Sequence, residues 1–206
     1  MSSIKLKHAS GNSMSIAAPA TNPASDLSLK LPATIGSAGQ VLRNSSTPGT
    51  LEFGEGIQEF DMWRVNSSFT QSTGDITANW ERADTNFDKI GTGLTESSGV
   101  FTFPSNGKWL IGLSTYIWTS AAPDYAGLKI CVSNNSGGSF DIRTESLSSV
   151  NADELAASTY TITCLDITNA SAMPMRFETV ASVSVAWNGH TDQQRTGFWA
   201  MKLGET

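Results

Sequence analysis

The sequence predicts an all-β protein whose C-terminal part is a jelly-roll sandwich of eight to ten antiparallel strands, preceded by an extended, β-rich N-terminal arm. Two observations support this prediction. After residue 56, apolar residues alternate with polar ones over most of the chain, which is the period of a half-buried strand. The composition is polar but weakly charged, with 39% apolar and only 16% charged residues, as is typical of proteins with many strands and turns.

A break in composition near Gly56 divides the chain. All six tryptophans, and every Phe and Tyr except Phe53, follow it. Because large aromatic side chains dominate protein cores, residues 57–206 are predicted to form a folded head and residues 1–56 an arm. The apolar pieces of the arm are too short to offset about 1–2 kcal/mol of ordering entropy per residue. The arm is therefore either disordered or ordered by other chains, and the alternation in residues 27–31 favours the second alternative.

The strands of the head are predicted from their alternation. The longest is a single strand over residues 175–187. The others span 57–66, 100–103, 108–118, 128–132, 140–145, 157–168 and 197–203. The predicted head core comprises the large inward-facing residues Phe101, Phe103, Trp109, Ile111, Phe177 and Val183.

One segment has a conflicting pattern. Trp80, Ala83, Phe87 and Ile90 have helical spacing, but glycines follow directly, so we interpret residues 78–92 as a loop with at most a short helix.

The sequence contains no motif for catalysis, nucleotide binding or metal binding. Residues 112–116 lack the last glycine of a nucleophile elbow, and Gly91-Thr92-Gly93 lacks the third glycine of a dinucleotide fingerprint. The two histidines, His8 and His190, have no cysteine or second histidine at ligand spacing, and the carboxylates are scattered. We therefore expect no enzymatic activity, no cofactor and no metal site.

Charge and targeting signals limit the partners further. The net charge is −6, without a Lys/Arg cluster, which argues against binding to nucleic acid or to anionic lipid. The N-terminal residues lack the apolar stretch of a signal peptide, and no apolar run is long enough for membrane insertion. Cys131 and Cys164 are expected to be buried free thiols.

The segment that joins the last two predicted strands holds one polar cluster. A hairpin turn is the favoured interpretation. The alternative is a tip loop that contacts a ligand through Asn188, His190 and Asp192.

Two further segments carry a resemblance. Residues 99–111, with Phe101-Thr102-Phe103-Pro104-Ser105-Asn106-Gly107-Lys108-Trp109, resemble the strand, turn and strand of the complement globular-head and tumour-necrosis-factor-like jelly roll. The closing segment, residues 196–203, is similar to the last strand of that family, which lies at the centre of a trimer. The resemblance implies a homotrimer with Trp199, Met201 and Leu203 in the trimer core.

A narrower resemblance concerns the virion proteins of bacteriophages. Residues 79–84 and 90–104 look like the heads of structural proteins from marine phages, and several short arm segments are similar to arms that attach fibres to virions. This implies a non-enzymatic protein of the virion, assembled in the host cytoplasm. Its docking contacts would come from the apolar residues of the arm, which are Ile4, Leu6, Leu27, Leu29, Leu31, Val41 and Leu42.

Within that class, the first hypothesis is a homotrimeric fibre or spike that docks on other virion proteins. Its head would face outward, with a host-surface receptor or glycan as the candidate partner. The alternative is a capsid decoration or cement protein with a protruding head. A glycan depolymerase, from a different class, would need a pair of carboxylates in a groove, for which the sequence offers no candidate.

Overall fold

The computed structural model describes residues 3–7, 10–17, 19–21, 23–37, 39–54, 56–119, 123–149 and 156–206. Within these ranges the chain consists of strands and loops, so the predicted all-β class is confirmed. No helix in them is long and apolar enough to cross a bilayer. The chain forms two compact units, residues 1–56 and residues 57–206.

The first unit contains two short antiparallel hairpins. One pairs β1 (Ser3–Lys7) with β2 (Ser13–Ala17), and the other pairs β3 (Val41–Asn44) with β4 (Leu51–Gly54). The second hairpin closes through a turn at Gly49, whose φ of 79° suits glycine. Both strand pairs are too short to be stable without further contacts.

The second unit is a sandwich of two antiparallel sheets. The seven-stranded sheet contains β5 (Phe60–Val65), β6 (Phe69–Gln71), β8 (Trp80–Arg82), β11 (Gly107–Trp118), β14 (Ala156–Ile167), β16 (Val185–Trp187) and β17 (Gly197–Gly204). The six-stranded sheet contains β7 (Gly74–Asp75), β9 (Thr95–Ser97), β10 (Val100–Thr102), β12 (Ala126–Val132), β13 (Asp141–Ser148) and β15 (Met175–Ala181).

Strand β11 organises the seven-stranded sheet. It pairs with β14 over its whole length on one side, and with β17 and then β16 on the other. Strand β5 lies beyond β17, and β8 lies beyond β5. In the six-stranded sheet, β15 pairs with β12 on one side and with β10 and β7 on the other.

An aromatic cluster fills the space between the sheets. Phe101 of β10 and Phe177 of β15 are fully buried and pack against Phe198 of β17 from the facing sheet. The ring centroids of Phe177 and Phe198 are 4.4 Å apart, and those of Phe101 and Phe198 are 4.7 Å apart. The rings of Trp63 and Trp80 pack edge-on against Phe101 and extend this cluster. Such aromatic pairs stabilise a core beyond the apolar area that they bury.

The structure corrects the prediction for Val183. Phe101, Phe103, Trp109, Ile111 and Phe177 are buried, whereas Val183 is 40% exposed. The predicted strand over residues 175–187 is in fact two strands, because the chain turns at residues 182–184 and crosses to the other sheet as β16. Alternation continues in the sequence across the turn, so periodicity alone does not reveal the break.

The helical spacing in residues 78–92 belongs to a strand and an ordered loop. Trp80 begins β8, and the backbone N–H of Ala83 donates to the carbonyl of Met62 on β5 at 2.9 Å. Ile90 exchanges two backbone hydrogen bonds with Phe60, and the Phe87 ring packs edge-on against the Phe60 ring. The apolar residues of this segment therefore face β5 or the core without forming a helix.

Candidate functional site

The outer face of the seven-stranded sheet is rich in apolar residues. Because side chains alternate along a strand, the residues of β11 that flank Trp109 and Ile111 point away from the core. The same holds for the outward positions of β5, β14 and β17. These large residues, all half-buried or exposed, are Phe60, Met62, Leu110, Tyr116, Trp118, Tyr160, Ile162, Trp199, Met201 and Leu203. We call this set the apolar face.

The strand register brings the middle of the apolar face into two adjacent rows. One row across the sheet runs through Phe60, Met201, Leu110 and Cys164 on four neighbouring strands. The next row runs through Met62, Trp199, Gly112 and Ile162. Soluble monomers rarely leave an apolar patch of this extent in water, so the face indicates an interaction surface.

Gly112 makes room for the indole ring of Trp199 on this surface. A Cβ atom at residue 112 would lie 2.2 Å from the indole ring of Trp199. The glycine is therefore required by the close approach of the ring, and the indole covers the gap in the second row.

The outer face of the six-stranded sheet has the opposite character. Arg176 Nη1 pairs with Asp75 at 2.9 Å and its Nη2 with Glu178 at 2.6 Å, and Lys129 pairs with Glu145 at 3.7 Å. Burial raises the pKa of Asp75, and Glu178 raises it further against the effect of Arg176. This charged face suits contact with water, whereas the apolar face does not.

The predicted trimer-core residues all lie on β17 within the apolar face. Trp199 and Met201 are half-buried in the middle of β17, and Leu203 is exposed near the end of that strand. Sequence reasoning did not assign the other members of the face. The sequence does contain a pattern that could have predicted them. On β11 and β14, large apolar or aromatic residues also occupy the positions opposite the core, namely Leu110, Tyr116, Tyr160 and Ile162.

A buried ionic network beside the apolar face was also missed. The Asp61 carboxylate is buried and accepts hydrogen bonds from the Trp63 indole N–H at 2.9 Å, the Leu94 backbone N–H at 2.8 Å and the Arg82 guanidinium at 3.0 Å. These contacts hold the loop before β9 against β5. Since the carboxylate is saturated with donors, it is suited to a structural role and not to proton transfer.

Arg64, on the outward side of β5, is also buried and pairs with two carboxylates, those of Glu81 and Asp84. The hydrogen bond from Arg64 lowers the pKa of Asp84. Within the described ranges, no group of three or more His, Cys, Asp or Glu residues has the geometry to hold a metal ion.

The predicted tip loop is tied to the sandwich by its backbone. The Asn188 N–H donates to the Tyr116 carbonyl at 2.8 Å and the His190 N–H to the Val65 carbonyl at 2.9 Å. Nδ1 of His190 accepts from the Asp192 N–H, and only Asp192 of the three predicted residues is exposed. The hairpin interpretation is wrong, because β16 and β17 both pair with the same side of β11 and not with each other. Ligand contact by this loop stays a prediction, and His8 lies outside the described residues.

The two cysteines differ, which corrects the expectation that both are buried. Cys131 is fully buried, and burial, with a contribution from Glu178, raises its pKa to about 12. Cys164 is exposed, because it occupies an outward position of β14 in the first row of the apolar face.

The apolar residues of the arm are exposed within its own unit. This holds for every predicted docking residue, namely Ile4, Leu6, Leu27, Leu29, Leu31, Val41 and Leu42. Their exposure agrees with a need for partner chains, and the docking role itself stays a prediction.

Comparisons with known proteins identify the fold but no relative in sequence. No family model and no curated protein sequence matches the chain. The structure is similar to Eiger TNF from S. frugiperda, with a TM-score of 0.58 and 11% identity over 71% of this chain and 93% of that chain. It is also similar to murine APRIL at pH 5.0, with a TM-score of 0.55 and 10% identity over 70% of this chain and 98% of that chain. The fold is thus a tumour-necrosis-factor-like jelly roll.

Proposed function

We propose that this chain is a non-enzymatic structural protein of a bacteriophage virion and works as a homotrimeric fibre or spike. Residues 57–206 form the trimeric head, and residues 1–56 dock it on the particle. The proposed trimer rests on one observation, the apolar face. An isolated chain would leave this surface of the head in water.

The composition of the face favours a permanent interface between copies. It combines Trp, Tyr, Phe, Met and Leu side chains, and a core of such residues is typical of obligate homo-oligomers. A cyclic trimer requires two different patches that meet across each contact. On β13, the outermost strand of the other sheet, Ile142 and Leu147 are exposed and are the apolar residues proposed for the second patch.

The tumour-necrosis-factor-like jelly roll is consistent with this assembly, and the phage assignment depends on the resemblance of residues 79–84 and 90–104 and of the arm to virion proteins. In the proposed particle the charged face of the six-stranded sheet stays in water except at its β13 edge, where Ile142 and Leu147 meet the neighbouring copy. The head faces outward, where a host-surface receptor or glycan is its candidate partner.

The chemistry of the described residues supports a structural role over catalysis. The carboxylates with low exposure are paired with arginines or saturated by N–H donors, as at Asp61 and Glu178. This leaves no unpaired acid and base at the separation that glycoside hydrolysis requires among them.

Sedimentation of the full chain tests the proposed trimer. We expect a trimer at micromolar concentration for the wild type, and dissociation for Met201→Lys, because a charge would be buried in the interface. Val183→Lys is the matched control, since it places the same charge at an exposed valine outside both patches, and it should stay trimeric. A stable wild-type monomer would contradict the proposal.

Antibody labelling of virions then tests the location. Gold particles on the tail would support the fibre or spike, and gold particles spread over the capsid would support the decoration protein instead.

A further inference from the structure

The hairpin of β1 and β2 is an amphipathic ribbon. In its antiparallel register, Ile4 lies opposite Ile16, and Leu6 lies opposite Met14. The remaining positions of the two strands, which alternate with the apolar ones, are Ser3, Lys5, Lys7, Ser13, Ser15 and Ala17. Because alternate residues of a strand share a face, all four large apolar positions of the ribbon belong to one face.

This apolar face of the ribbon is uncovered. Ile4, Leu6 and Ile16 are 66%, 57% and 67% exposed. A two-stranded ribbon alone is marginally stable in water, so its strands need a further layer against that face.

We infer that the apolar faces of three ribbons, one from each copy in the proposed trimer, pack against one another around the three-fold axis. The inference rests on the proposed homotrimer. It assigns Ile4 and Leu6 to contacts between copies and leaves the apolar row of Leu27, Leu29 and Leu31, together with Val41 and Leu42, for docking on the particle.

Effective concentration favours other copies over a foreign partner. Once the heads are trimeric, the three ribbons are tethered in one assembly, and their association is effectively intramolecular. A separate partner would have to overcome the full cost of association on a face that offers no hydrogen bond or charge for recognition.

The two lysines of the ribbon lie outside its apolar positions. The first 25 residues contain Lys5 and Lys7 and no Asp or Glu, in a chain whose net charge is −6. Neither lysine occupies an apolar position of the register, so association through the apolar faces does not require burial of either residue.

Cross-linking of adjacent positions tests the inference. Ile16→Cys and Ala17→Cys are made in the full chain with Cys164→Ser, and each is treated with a short trifunctional maleimide. The two positions are neighbours in β2 on opposite faces, and both are exposed in the single chain. Ile4→Cys repeats the test from β1. We expect covalent trimers from residues 4 and 16 but not from residue 17.

Sedimentation of the same samples separates the two proposals. A trimer that cross-links equally at residues 16 and 17, or at neither, overturns the ribbon packing and leaves the head trimer intact. A monomer overturns both.

Hydrogen exchange supplies a second readout that does not depend on a cysteine. We expect the amides of β1 and β2 to be protected in the trimeric wild type, to lose that protection in Ile16→Ser, and to keep it in Ala17→Ser. Exchange in the wild-type trimer as fast as in an unstructured peptide would overturn the inference.

Discussion

Trp109 stabilises the sandwich through apolar contact alone. It is fully buried on β11, its ring centroid lies 5.1 Å from that of Phe103, and its indole N–H has no partner among the described residues. The residue therefore contributes buried area and shape to the core, without the polar contact that anchors Trp63 to Asp61.

Replacing Trp109 with alanine should lower the free energy of unfolding by about 3–5 kcal/mol, because the cavity cannot close in a packed sandwich. Urea unfolding of the full chain measures this loss. The control is Val183→Ala, at an exposed position, which should change stability by less than about 0.5 kcal/mol. A Trp109→Ala variant as stable as the control would show that this side of β11 is not the core side.

Asp84 should make stability depend on pH in acid. Its carboxyl is exposed, and the hydrogen bond from Arg64 holds its pKa below the ordinary value of 3.8. A lowered folded-state pKa adds stability above the unfolded value, and this stability is lost as the pH falls through the folded value. The unfolding midpoint of the wild type should therefore fall more than that of Asp84→Asn below about pH 4.

The control for this prediction is Asp88→Asn, a nearby carboxylate for which the described residues supply no cationic partner. Its acid response should match that of the wild type. Equal acid sensitivity in Asp84→Asn and the wild type would contradict a stabilising role for the contact with Arg64.

At the scale of the element, β14 places Cys164 on the apolar face, whereas β12 holds Cys131 in a fully buried position. In the proposed trimer, a small maleimide should label neither thiol quickly. In the Met201→Lys monomer it should label Cys164, while Cys131 stays unreactive because its thiol is buried and its pKa is raised to about 12. Rapid labelling of Cys164 in a trimer would place this part of β14 outside the interface.

Strands with one buried face could be predicted from sequence. The point at which the chain passes from one sheet to the other could not. Strands β11, β14 and β17 follow from alternation, which reports burial on one side. The break between β15 and β16 could not be predicted, since the apolar residues keep their period through residues 182–184 while the chain crosses to the other sheet. Likewise β8 depends on hydrogen bonds to β5, a long-range contact that local spacing does not encode.

The apolar face was predicted only in part, for a related reason. Trp199, Met201 and Leu203 were assigned through the resemblance of one strand. The rest of the apolar face is assembled by register, in which Leu110 is opposite Met201 and Cys164, and Gly112 is opposite Trp199 and Ile162. Each strand shows its outward apolar residues in sequence, but only the pairing shows that they form one surface.

At the scale of the whole molecule, the two units differ in how they gain stability. Residues 57–206 bury a continuous aromatic core between two sheets. Residues 1–56 form short hairpins and leave exposed most of their large apolar residues that the structure describes, with Leu51 and Phe53 half-buried. We therefore expect the first unit to gain stability from contacts with other chains, as a segment does that becomes ordered when it binds.

Deletion of residues 1–56 should consequently separate folding from attachment. The remaining head should be soluble and trimeric, because its core and apolar face are complete without the arm. It should be absent from virions, since the docking row of Leu27, Leu29 and Leu31 is gone and three arms no longer bind together. Quantitative blotting of purified particles measures the copy number.

The matched control is the full chain with Leu29→Ser, which removes one docking residue and keeps the head unchanged. Its copy number should fall less than that of the deletion, because the neighbouring leucines remain. Proteolysis gives an independent check: the docking row at residues 27–31 should be cleaved readily in the free protein and protected on particles. Normal incorporation of the head alone would refute the docking role of the arm and would move the attachment surface to the jelly roll.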